Sequence, residues 1–188
     1  MKKISVGQRP LAGRDSELHL YRTALANPEC RGFAIFGPQG VGKSRLADEC
    51  LKVGAAGGWK TLRVTATRGA STVPFGAIAH LIPVGVAATD IAAVLTGVAS
   101  SLDEEKRKGT LLLVEDIPLL DQSSLIIVQR LSDVGKIFLI STTRDGEREN
   151  SDTDSLTEPI PTSGDSRSAL CHGHLVDPGY DASGGGRG

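Results

Sequence analysis

The chain has 188 residues, 39% of them hydrophobic, which is enough for one core; no apolar run approaches the 18 or more residues that a membrane-spanning helix requires. The net charge of −1 hides an asymmetry: residues 1–144 carry 18 Lys+Arg against 13 Asp+Glu (+5), and residues 145–188 carry 3 against 9 (−6). A body at +5 suits a polyphosphate ligand but is too weakly basic to argue for nucleic acid, and three cysteines (Cys30, Cys50, Cys171) without metal or redox spacing argue against a disulfide framework. The opening MKKISVGQRP has no apolar run behind it and is not a signal peptide, so a reducing, cytoplasmic setting is expected.

Residues 13–27 predict a helix, with Asp15 as cap and Leu18, Tyr21 and Leu25 on one face. GFAIF (32–36) has the continuous apolar character of a buried parallel strand and stops at a Gly-Pro break. A helix follows from Lys43 and dissolves in glycine near 54–58; TLRVTATR (61–68), rich in Val and Thr, predicts the next strand. VPFGAIAHLIP (73–83), bounded by prolines, predicts a short helix, and residues 86–102 a second helix of small side chains. TLLLVED (110–116) is the most strand-like run in the chain. Residues 121–135 predict a helix capped by Asp121 with Leu125, Val128 and Leu131 buried, and KIFLISTTR (136–144) a last buried strand. This alternation calls for an α/β fold, a three-layer parallel sheet flanked by helices. The expected organisation is a nucleotide-binding domain over residues 1–146 and a disordered acidic, Gly-rich tail over 147–188, whose Ser, Asp, Gly and Pro content cannot bury enough surface to offset chain ordering.

Between the first strand and its helix stands GPQGVGKS (37–44), which fits G-x-x-x-x-G-K-[ST]. Glycines at Gly37, Gly40 and Gly42 let backbone N–H groups converge on phosphate oxygens, and the following helix points its positive end there. Lys43 is placed to reach the terminal phosphates and Ser44 to hold Mg²⁺. A strand ending in carboxylates is the expected partner of such a loop, so Glu115 and Asp116 are candidate catalytic acids, with Glu115 as metal ligand beside Ser44. Glu115 stands where most such proteins have the shorter Asp. Thr142, Thr143 and Arg144, ending a neighbouring strand, are expected to face the same crevice, Arg144 as a catalytic contact to the terminal phosphate.

Five stretches in this order, LAGRDSEL, GPQGVGKSRLADE, VPFGAIAHLIP, LLLVEDIPLLDQSSL and FLISTTR, resemble the N-terminal ATPase module of large ATP-binding LuxR-type transcriptional regulators. These belong to the STAND branch of AAA+-like P-loop NTPases. The resemblance covers about residues 9–146. It implies an ATP/ADP switch using Mg²⁺, with ADP holding the off state and ATP exchange driving self-association. On it, Gly13, Arg14 and Glu17 match the element beside the adenine, and Arg144 matches the sensor arginine.

That family continues with a winged-helix segment, helical repeats and a DNA-binding helix-turn-helix, and its sheet has a fifth strand beside the phosphate-loop strand. Nothing after Arg144 resembles these, and SLTEPIPT (155–162) makes a poor strand because of its prolines. The implied chain is therefore a truncated module with an incomplete sheet, binding nucleotide with weak ATPase activity at most and lacking specific DNA binding. It is also expected to self-associate through an exposed phosphate-loop strand. Cys171, His172 and His174 in the tail read as an accidental cluster rather than a metal site. Two alternatives stay open: a small P-loop kinase, for which Arg68 is the only lid arginine on offer, and a fragment without nucleotide-binding function.

Overall fold

A computed structural model describes residues 13–103, 107–144 and 169–174. Its helices are α1 (Asp15–Ala26), α2 (Lys43–Ala56), α3 (Ile91–Asp103) and α4 (Gln122–Asp133). Its strands are β1 (Cys30–Gly37), β2 (Lys60–Thr65), β3 (Thr110–Glu115), β4 (Ile137–Arg144) and β5 (Ala169–His174). They form one parallel sheet in the order β2-β3-β4-β1-β5.

Strand parity divides the core in two. On one face Leu111 and Leu113 of β3, Phe138 and Ile140 of β4, and Phe33 and Ile35 of β1 pack against Tyr21 of α1 and Leu46, Ala47 and Cys50 of α2. On the other, Leu112, Val114, Ile137 and Leu139 pack against Val94, Val98 and Leu102 of α3 and Leu125, Val128 and Leu131 of α4. Central strands buried on both faces explain the unbroken apolar runs in the sequence. The site-bearing loops consequently gather at the carboxyl ends of β1, β3 and β4.

Three expectations are corrected. First, β5 pairs in parallel with β1, with Phe33 opposite Cys171 and Phe36 opposite His174. The sheet thus draws its fifth strand from the segment read as a disordered tail. The phosphate-loop strand is not an edge, and the route to self-association through it disappears. The rest of 147–188, including 155–162, lies outside the described residues. Second, residues 73–83 are not a helix. They run through turns, with a single 3₁₀ turn at Ala79–Leu81 and Phe75 at φ +59°. The buried Asp121 carboxylate fixes this path by accepting the Phe75 and Ala77 N–H groups at 2.8 and 3.3 Å while capping α4 through Ser124. Third, Cys30 is disulfide-bonded, whereas Cys50 is a free buried thiol that burial, aided by the nearby Glu49 charge, pushes up to about 12. No helix among the described residues is long and apolar enough to cross a membrane.

Candidate functional site

The loop from β1 to α2 owes its shape to glycine. Gly40 and Gly42 sit at φ +83° and +97°, backbone conformations that L side chains rarely adopt. Gly42 is also the N-cap of α2 and supplies no side-chain acceptor, so the first N–H groups of that helix are left to whatever the loop encloses. Lys43 is 9% exposed; its Nζ donates to the Gly37 and Pro38 carbonyls at 2.7 and 2.9 Å. The ammonium is thereby pinned inside the loop, where its charge acts on the enclosed space. Ser44, the next residue, is exposed at the loop's rim.

Arg14 does not stand apart from this loop. It donates to the Val41 carbonyl at 3.2 Å and pairs with Glu17 at 2.8 Å, both side chains 11% exposed, so the start of α1 braces the loop from behind. Burial works to raise the Glu17 carboxyl, but hydrogen bonds from Ser16 and Arg14 outweigh it and hold the group below the usual carboxylate range. Gly13, at φ +78°, makes the turn that delivers Arg14.

A cavity of about 350 Å³ opens over the loop, lined by Gly40, Gly42, Lys43 and Ser44 and, across from them, by Asp116, Thr142 and Arg144. Asp116 takes a left-handed conformation at φ +51° just beyond β3, and its N–H donates to Thr142 Oγ1 at 3.0 Å. Its carboxylate meets Arg144 at 3.4 Å. Six of the catalytic and phosphate-loop candidates (Gly40, Gly42, Lys43, Ser44, Asp116 and Arg144) are thus brought together.

Glu115 is placed differently. Its carboxylate accepts from Arg63 at 3.1 Å and from Thr65 Oγ1 at 3.2 Å, both on β2, and it does not line the cavity. Arg63 in turn pairs with Asp48 of α2. Parity puts Glu115 on the α2 face of the sheet, and Thr65, its register partner, and Arg63 draw it toward β2. The strand-end motif alone does not reveal this, because the partners lie about 50 residues away in sequence; the signal was Arg63 and Thr65 alternating on the neighbouring strand. Thr143 points to the other face of the sheet, where its buried hydroxyl lacks a hydrogen-bond partner among the described residues. Only Thr142 of that pair reaches the crevice.

The residues present fit a nucleotide with Mg²⁺. A buried ammonium and helix N–H groups match phosphate, and a hydroxyl facing one carboxylate is the sparse oxygen set that suits a cation keeping most of its waters. The strand–loop–helix unit at the edge of a cavity on a parallel, helix-covered sheet defines a P-loop NTPase-like fold. No family model matches the chain, and no curated relative does. Among solved structures, that of C. elegans PCH-2 aligns with a TM-score of 0.42 and 11% identity over 87% of this chain. The chain spans 41% of that protein, and a likeness this distant says nothing about function.

Proposed function

We propose that the chain is an ATP-binding regulatory module of the STAND branch of AAA+-like NTPases, of the kind found in LuxR-type transcriptional regulators, with slow turnover. The observation that carries the reading is the buried Lys43, held by two loop carbonyls on the floor of a cavity whose opposite wall is Asp116, Thr142 and Arg144. In this account the loop N–H groups and Lys43 bind the phosphates. Ser44 and Asp116 would hold Mg²⁺, which would offset phosphate charge when bound with nucleotide. Thr142 positions Asp116, and Arg144 contacts the terminal phosphate.

Slow turnover follows from two contacts. Glu115 is engaged with Arg63 and Thr65, leaving one carboxylate where two would serve metal and water. Arg144 already faces Asp116, so phosphate and carboxylate compete for it. Phosphoryl transfer depends almost wholly on positioning and charge, and the absence of an arginine contact to the transferring phosphate costs roughly 10³–10⁵ in rate. The test pairs a thermal shift with single-turnover hydrolysis. ATP at 100 times Kd should stabilise the fold by about 2.7 kcal/mol, with hydrolysis far slower than one per second. A stabilised protein turning over several ATP per second would overturn the regulatory reading.

A further inference from the structure

A trans peptide points its carbonyl and its N–H in opposite directions, so whatever holds one aims the other. None of the described peptides is cis. At the phosphate loop the Val41 carbonyl is held from behind by Arg14 Nη2 at 3.2 Å. The Gly42 N–H, on the far side of that same peptide, is therefore turned away from α1 and toward the cavity that Gly42 lines. We infer that, given the phosphate-binding role proposed above, Arg14 is a positioning residue for the phosphates: it acts through the Val41–Gly42 peptide and touches neither phosphate nor base.

The guanidinium is built for this task. Its planar fork serves the Val41 carbonyl through Nη2 and, at 2.8 Å, the Glu17 carboxylate through Nη1. Glu17 is itself held by Ser16 Oγ at 2.7 Å, and the Arg14 and Glu17 side chains are each 11% exposed, so the arginine has little room to turn elsewhere. Arg14 does not line the cavity over the loop, and its reach into that space runs through the backbone. Gly40 and Gly42, at φ +83° and +97°, give the loop the left-handed backbone in which successive N–H groups form a concave anion seat. A glycine has no side chain to fix such a peptide, and the tether on the preceding carbonyl keeps it from flipping. A flipped peptide would set the Val41 carbonyl against the phosphates, exchanging a donor for a partial negative charge. The resemblance to LuxR-type modules implies instead a contact beside the adenine, and the two roles part when the base is removed from the ligand.

The test is calorimetric titration of the full chain, in the presence of Mg²⁺, with ATP and with base-free tripolyphosphate. The parent should bind both. Arg14→Lys keeps the charge but lacks the fork, and should weaken both ligands by the same factor, about two- to tenfold, the loss of one hydrogen bond. Glu17→Gln is the second variant, and for it the sign decides. Removing an anion near the loop favours polyphosphate by charge alone, whereas loosening Arg14 should weaken both ligands. Weaker ATP binding with unchanged tripolyphosphate binding in Arg14→Lys would make the residue a base contact and overturn the assignment. Tighter binding by Glu17→Gln would overturn it as well. Lowered melting temperatures with both affinities unchanged would leave only a structural brace, and would also overturn it. A folded parent that binds neither ligand would overturn the nucleotide reading itself, and this assignment with it.

Discussion

Replacing Asp121 by Asn should be costly for a change of one atom. The carboxylate is 4% exposed and accepts four hydrogen bonds, from Ser124 N at 2.9 Å, Ser124 Oγ at 2.5 Å, Phe75 N at 2.8 Å and Ala77 N at 3.3 Å. An amide keeps one acceptor oxygen and sets an NH₂ against donors on the other side. Leaving one buried N–H without an acceptor costs about 1–3 kcal/mol, and bonds that lose a charged partner fall from about 1.5–3 to 0.5–1.5 kcal/mol. The expected loss is about 2–4 kcal/mol, large against a domain stability of roughly 5–15 kcal/mol. Urea unfolding followed by Trp59 fluorescence would show it as a midpoint lowered by about 1–2 M, taking m as about 2 kcal/mol/M. The pH dependence supplies an internal control. Burial works to raise the Asp121 carboxyl, but bonds from Ser124, Phe75 and Ala77 outweigh it and hold the group below its ordinary value. A depressed folded value contributes stability above the unfolded pKa of about 3.9 that is lost as pH falls through the folded value. Parent and variant should therefore differ most near neutrality and converge in acid. A difference under about 0.5 kcal/mol at pH 7 would refute the reasoning, since one such unpaired N–H alone should exceed it.

Gly54→Ala should destabilise although alanine gains about 0.5–1 kcal/mol inside an exposed helix. A Cβ there collides with the fully buried Leu111 side chain and comes within 3.3 Å of the Tyr21 hydroxyl, so overpacking of about 1–3 kcal/mol outweighs the propensity gain; a raised Tm would contradict this. Asp116→Asn should remove most of the Mg²⁺ dependence of ATP binding, whereas Glu115→Gln should change affinity by less than about twofold, because the Glu115 carboxylate is engaged with Arg63 and Thr65 and does not line the cavity. Equal effects of the two substitutions, read by titration with and without Mg²⁺, would show that both carboxylates face the metal.

Much of this molecule is legible in its residues. The phosphate loop is a local motif, the apolar runs of β1, β3 and β4 follow from burial on both faces, and the Asp121 cap satisfies a local need of α4. What was not legible depends on partners distant in sequence. ALCHGH carries Gly and two His, a weak strand signal, and it becomes β5 by aligning its backbone along β1. Residues 73–83 have helical composition, but two of their N–H groups are taken by a carboxylate 44 and 46 residues away. Glu115 and Asp116 are adjacent in sequence, yet one is drawn to β2 and the other turns at positive φ into the cavity.

The central claim is that the Gly37–Ser44 loop grips nucleotide through Lys43. Calorimetric titration of ATP in the presence of Mg²⁺ into the full chain, beside a folded Lys43→Ala variant, tests it most directly. The account predicts one ATP per chain for the parent. It predicts at least tenfold weaker binding for the variant, the loss of a charge-assisted phosphate contact of about 1.5–3 kcal/mol. Equal affinity in the two proteins, or no heat from a folded parent, would contradict it.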